Sequence, residues 1–167
     1  LAIPPAAFDD LERVPNRLQL LEDFVRAGGG LIMIGGYLSF QGFNGKAKYK
    51  DTPVEDALPV TIQPYDDRVE RSDGVTPIPS ERSHAVLEGV PEEWPPLLGY
   101  NRVVPDDDAD ELVMADEDPL AVVGECGEGR SAAFTSDCAP HWGPPEFTDW
   151  DGYDDFWTGL VEWVAGE

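Results

Sequence analysis

Four large apolar residues in a row, Leu31-Ile32-Met33-Ile34, stand between Gly28-Gly29-Gly30 and Gly35-Gly36. A run without polar alternation predicts a strand covered on both faces, and such strands belong to parallel sheets layered with helices. Upstream, Leu18, Leu20, Leu21, Phe24 and Val25 form a wide apolar face over a helix predicted at 17–27, with Asn16 as its cap. The three glycines end that helix and feed the strand, which makes one αβ unit of a layered domain. The fold class expected from this pattern is α/β with a mainly parallel sheet.

The rest of the chain adds shorter elements. Thr52-Pro53-Val54-Glu55 has the form of a capping box and predicts a short helix to about 58, followed by a strand over 60–63. Residues 66–83 are polar and carry Pro77 and Pro79, so they read as an extended surface connection, and 84–90 as a short segment. Strands are predicted at 100–104 and 111–115. The apolar stretches 120–125 and 131–136 flank Gly127-Glu128-Gly129-Arg130 and predict a C-terminal hairpin. Tyr153, Phe156, Trp157, Leu160, Val161 and Val164 recur at helical spacing and predict a last helix over 153–164. Pro4-Pro5 and Pro15 break the first fifteen residues into a loop with at most a helical turn around 8–11. With no repeat and no low-complexity linker, the chain reads as one domain over 1–167.

Charge changes the picture of the surface. The net charge is -23, from 34 acidic and 11 basic residues, and only Lys46, Lys48 and Lys50 are lysines. An acidic tail or a mimic of nucleic acid would concentrate this charge. Here it is dispersed, which favours a cytoplasmic protein of a salt-accumulating, halophilic cell, kept hydrated by its carboxylates. Unaided binding to nucleic acid is excluded as an expectation because no basic patch is visible. No apolar run approaches the ~20 residues of a membrane span and no signal peptide is evident, so no membrane partner is expected. Cys126 and Cys138 are too few for a disulfide framework and form no CxxC pair. The chain opens on Leu1 rather than Met, as a processed product or a fragment would.

Three stretches carry a resemblance: Gly28 through the apolar run to Tyr37-Leu38-Ser39-Phe40-Gln41-Gly42, then Leu97-Leu98-Gly99-Tyr100-Asn101-Arg102, then Gly127 to Trp142, ending Ser136-Asp137-Cys138-Ala139-Pro140-His141-Trp142. Together they resemble the class I glutamine amidotransferase-like superfamily and, within it, the putative glutamine amidotransferase group. The resemblance implies a flavodoxin-like layered fold, and an ancestry shared with enzymes that use a Cys-His-Glu set. It also implies βα units ahead of Asn16, which would leave this sheet short of its N-terminal part. Active members have a Gly-x-Cys-x-Gly elbow followed by His-Gln. Aligned on Gly35 and Gln41, this chain puts Tyr37 at the Cys, Ser39 at the second Gly and Phe40 at the His. A phenol is a poor nucleophile near neutral pH, so glutaminase chemistry is not expected at this elbow.

The candidate site lies at the strand ends. Gly36, Tyr37, Ser39 and Gln41 are expected to line a ligand pocket with Asn101, Arg102, Asp137 and Trp142, although Tyr37 could instead fill the space of a disused active site. Cys138 and His141 are spaced to suit a thiolate–imidazole pair. The alternative is a buried thiol with His141 bracing a proline-rich loop. Zinc would need about four ligands, so no metal is predicted, and no cofactor. Arg102 could clamp an anion or pair with a nearby Asp; His84 reads as a cap or packing residue; the tryptophans 142, 150, 157 and 163 could stack sugars, with core packing as the default. The first expectation is therefore an amidotransferase-like domain without the usual nucleophile that binds a small metabolite. Its rivals are a Cys138–His141 hydrolase or transferase and a non-catalytic interaction subunit, with a homo-oligomer among the outcomes.

Overall fold

The computed structural model describes residues 16–80 and 83–167. The turn expected around 8–11 lies outside them. Helix α1 (Arg17–Arg26) begins where the Asn16 side chain accepts from the Leu18 amide at 3.1 Å. Strand β1 (Gly30–Ile34) follows, then β2 (Val60–Ile62), β3 (Arg68–Val75), β4 (Ile78–Pro79), β5 (Leu97–Asn101), β6 (Val103–Pro105), β7 (Asp110–Ala115), β8 (Asp118–Cys126) and β9 (Gly129–Phe134). Helices α2 (Pro145–Thr148) and α3 (Tyr153–Ala165) close the order.

The main sheet runs β1-β9-β8-β7-β4, and β2–β6 and β3–β5 form two separate ribbons. Among the described residues only β1 and β9 are parallel, and every other strand pair is antiparallel. The mainly parallel, flavodoxin-like sheet expected from the sequence is therefore not the architecture found. The reason is local. Strands β7, β8 and β9 are joined by turns at 116–117 and 127–128, and links this short can only reverse the chain, whereas a parallel crossover needs a dozen or more residues. The C-terminal hairpin predicted at Gly127 is present, with Cys126 facing Gly129 in the register.

The apolar run lies at the margin of this sheet. Among the described residues β1 has β9 on one side and no strand on the other, and all five of its residues are half-buried. Both faces are nonetheless covered. Ile32 and Ile34 pack on the large core built from Phe134, Phe156, Leu160 and Val164, while Leu31 and Met33 pack on the opposite core around Phe40, Val60 and Val122. Unbroken hydrophobicity reports covered faces, not neighbours on both edges. The face of α1 is a second departure, because only Val25 is buried and Leu20, Leu21 and Phe24 are 51%, 43% and 56% exposed. The polar stretch 66–83 is not a mere connection either. Its first half is β3, which pairs with β5 across a bulge.

Candidate functional site at the strand ends

Because β1 and β9 are parallel neighbours, the loops that leave them emerge at the same end of the sheet, the end where open α/β sheets place ligands. The β1 loop carries Tyr37 and the β9 loop carries Asp137 to Trp142. Their close approach depends on Gly35. A Cβ there would stand 2.0 Å from the Thr135 carbonyl oxygen. Gly42 closes the β1 loop at φ 67, in the left-handed region, where a Cβ would meet the Tyr37 carbonyl at 2.5 Å. Phe40 also sits in that region, at φ 51, an outlier for a bulky residue, and its fully buried ring holds it there.

A buried polar network fastens this loop from below. Asn101, at the end of β5, accepts the Gly36 amide on Oδ1 at 2.8 Å and donates Nδ2 to Asp67 Oδ1 at 2.8 Å. Asp67 also accepts from the Gln41 amide at 2.8 Å and the Gly42 amide at 2.9 Å. Burial pushes the Asp67 carboxyl above its ordinary pKa, while the three donors pull the other way. Beside it, Asp66 chelates the Arg68 guanidinium through two contacts of 2.9 Å, and that pairing holds Asp66 down at about 2.

Above the network the site is aromatic and half open. Tyr37 is 40% exposed and meets His141 edge-on, with ring centroids 4.5 Å apart, and Trp142 at 5.8 Å. Phe43 lies nearly parallel to Tyr37 at 6.0 Å, and the Arg68 guanidinium stands 4.4 and 4.5 Å from the two rings. The Tyr37 hydroxyl donates to Glu70 Oε1 at 2.7 Å, and the Trp142 indole donates to Glu70 Oε2 at 3.2 Å. The hydrogen bond to Glu70, with burial adding to it, raises the Tyr37 pKa. The phenol is thereby moved further from nucleophilic use.

His141 is exposed, and its Nδ1 lies 2.7 Å from Asp137 Oδ2. That contact leaves Nε2 as the ring nitrogen not engaged by Asp137. The Cys138 thiol makes no hydrogen bond with His141 among the described residues. The Cys138 carbonyl instead accepts from the Tyr153 hydroxyl at 2.7 Å. Among the described residues no group of three or more His, Cys, Asp and Glu is arranged to hold a metal ion.

The sequence-derived candidates thus divide. Tyr37, Asp137, His141 and Trp142 converge. Gly36, Asn101 and the backbone of Gln41 belong to the fastening network, and Ser39 is half-buried in the same loop. Arg102 does not join them: its side chain is exposed and pairs with Asp118 at 2.9 Å, in company with Tyr100, whose hydroxyl burial pushes up to about 12. Arg68, Glu70, Phe43 and Asp67 were not anticipated. For Arg68 and Glu70 the signal was the period of two, which puts both on one face of β3.

Four cavities open elsewhere on the described surface, and Tyr37 and His141 line none of the four. At the strand-end elbow the part-exposed Tyr37 ring and the exposed His141 form an aromatic platform.

A sharp glycine-bounded elbow after a strand, faced by a second loop from its parallel neighbour, defines an α/β domain with a strand-end site. The chain belongs to the putative glutamine amidotransferase family, whose model matches residues 1–166. Among solved structures it is similar to a cytoplasmic protein of Salmonella typhimurium LT2, at 41% identity and a TM-score of 0.89, over 95% of this chain and 64% of that one. A second cytoplasmic protein of Salmonella typhimurium matches at 42% identity and a TM-score of 0.88, with the same coverage. This chain therefore spans less than two thirds of the length of either. A ThuA-like protein of Parabacteroides merdae shares the fold at 15% identity and a TM-score of 0.61, over 87% of this chain and 63% of that one. No curated protein matches the chain. Among the described residues no helix is long and apolar enough to cross a membrane.

Proposed function

We propose that this chain is an amidotransferase-like domain that has exchanged the nucleophile for a recognition surface, and that it acts in the cytoplasm. The observation that carries the reading is the state of Tyr37. Its hydroxyl is committed to Glu70, its ring is wedged against His141, and it occupies the tip of the elbow. The part-exposed Tyr37 ring and the Nε2 of His141, which Asp137 leaves unengaged, suit a small molecule with a flat or sugar-like face and one hydrogen-bonding group. Asp66 and Glu70 pair with the Arg68 guanidinium and Asp137 with His141, so three carboxylates stand beside the two cations of these rings, Arg68 and Lys46, and the ligand is neutral or cationic rather than anionic.

The Cys138–His141 hydrolase reading is weaker, because among the described residues no hydrogen bond joins the thiol to the imidazole that Asp137 holds. An interaction role gains support from the exposed Leu20, Leu21 and Phe24 beside a strand with a free edge among the described residues. Sedimentation of a stable monomer would count against a homo-oligomer formed through that face.

The ligand reading is tested by saturation-transfer NMR with adenosine and methyl glucoside as probes. Transfer to at least one probe is expected, lost in Tyr37→Ala and in His141→Ala while the fold is retained. No transfer to either probe, or transfer that survives both substitutions, removes the reading.

A further inference from the structure

The face of β3 turned away from the elbow carries a site of a different kind. Strand alternation puts Val69 and Arg71 opposite Arg68 and Glu70. Val69 pairs with Tyr100 of β5, and Arg102 follows Tyr100 by two residues. The link from β7 to β8, Asp116-Glu117-Asp118, completes the walls of a cavity of about 740 Å³, which is within the range of small-molecule sites. The cavity shares no residue with the Tyr37 platform.

Two guanidiniums meet here, in a chain with 11 basic residues against 34 acidic ones. Arg71 joins Asp116 and Arg102 joins Asp118, with the two arginine side chains 39% and 47% exposed. Exposed ion pairs add little to stability, so pinning the turn is a weak reason for two of them. Both contacts from Arg102 run through Nε, at 2.9 and 3.0 Å, and Asp118 thereby leaves the fork of terminal amino groups to another acceptor. The Tyr100 hydroxyl donates to the same carboxylate at 2.9 Å and holds it in place.

The charge of the walls decides what fits. Against the two arginines stand Asp116, Asp118 and Glu117, and Glu117 is exposed with no ion pair among the described residues. A plain anion meets a surplus of carboxylate in the cavity and a net charge of -23 over the chain. A plain cation leaves the Arg102 fork unused. Glu117 lies one Cα step, about 3.8 Å, from each of the two paired aspartates, so an acceptor for a cation stands beside a donor for an anion.

We propose that this cavity is a second binding site, for a small zwitterion whose carboxylate accepts from the terminal amino groups of Arg102 and whose ammonium lies against Glu117. Val69 supplies an aliphatic wall that suits a short methylene link between the two charged groups. Nothing in it depends on what the strand-end elbow binds.

The test uses the full chain, labelled with nitrogen-15, and three matched probes: β-alanine, propionate, which lacks the ammonium, and ethylammonium, which lacks the carboxylate. Millimolar β-alanine is expected to shift the Arg102 Nε–H resonance saturably, with each half-probe at least tenfold weaker. Arg102→Gln identifies that resonance by its loss and removes the binding, as read by saturation transfer to the methylene protons. Because that variant also leaves Asp118 without its cation, Glu117→Gln serves as a second one: Glu117 is exposed and unpaired, and its neutral form should bring β-alanine down to the level of propionate. An Arg102 resonance that does not move with millimolar β-alanine overturns the proposal. Equal binding of β-alanine and propionate by the unaltered chain, or full affinity for β-alanine in either variant, also overturns it.

Discussion

Asp67→Ala is expected to destabilise the protein by about 3 kcal/mol and to release the Tyr37 loop. Three donors converge on this buried carboxylate, the amides of Gln41 and Gly42 and the side-chain amide of Asn101. Each buried donor stripped of its partner costs about 1–3 kcal/mol, partly offset here by the relief of burying a charge. In a chain of this size that corresponds to a fall in Tm of about 6–12 °C. The pH dependence carries a signature. Asp67 titrates above its ordinary value in the folded state, so its contribution is fully present below about pH 4 and is lost as pH rises through the raised pKa. The gap between wild type and variant should therefore narrow across that interval. Asp66 runs the other way, because its pairing with Arg68 is lost as pH falls from about 4 through about 2. Denaturant melts of both proteins at several acidic pH values, followed by near-UV circular dichroism for the loop aromatics, check both parts. An unchanged melt for Asp67→Ala would show that the network does not fasten the loop.

Trp142→Ala has a comparable effect for a different reason. The side chain is 1% exposed, and a Cβ on Gly99 would come within 2.5 Å of its indole nitrogen, so the ring lies directly against β5. Truncating a buried Trp costs about 3–5 kcal/mol through lost transfer energy and the cavity left behind. The same change removes the wall behind Tyr37 and His141 and one of the donors to Glu70. Trp142→Phe separates these roles. It keeps most of the apolar volume and loses the N–H bond to a carboxylate, at about 1–3 kcal/mol. Ligand contact at Tyr37 should survive in the Phe variant and fail in the Ala variant. Equal loss in both would mean that the indole N–H, not the packing, positions the platform.

These two residues also mark what could be read from the chain before its structure. Trp142 and Tyr37 were legible as site candidates because each follows an apolar strand, and glycine placement announces the turn. The hairpin at Gly127 was legible for the same local reason. Sheet order was not. Four apolar residues in β1 state that both faces are covered, and they say nothing about whether a strand lies on each edge. Pairing between β1 and β9 spans most of the chain, and only tertiary packing decides it. Asp67, Arg68 and Glu70 were hidden by composition: a polar stretch with two prolines resembles a connection, yet its alternation placed Arg68 and Glu70 under the aromatic rings. Leu20, Leu21 and Phe24 show the opposite limit, since helical periodicity found the face of α1 but not what it meets.

The central claim is that the elbow holds no working nucleophile. The direct measurement is the intact mass of the protein after incubation with 6-diazo-5-oxo-norleucine, a glutamine analogue that alkylates the catalytic thiol of glutaminases. The unmodified mass is predicted, with no ammonia released from glutamine in a parallel sample. A stoichiometric adduct mapped to Cys138 or Tyr37 would contradict the account.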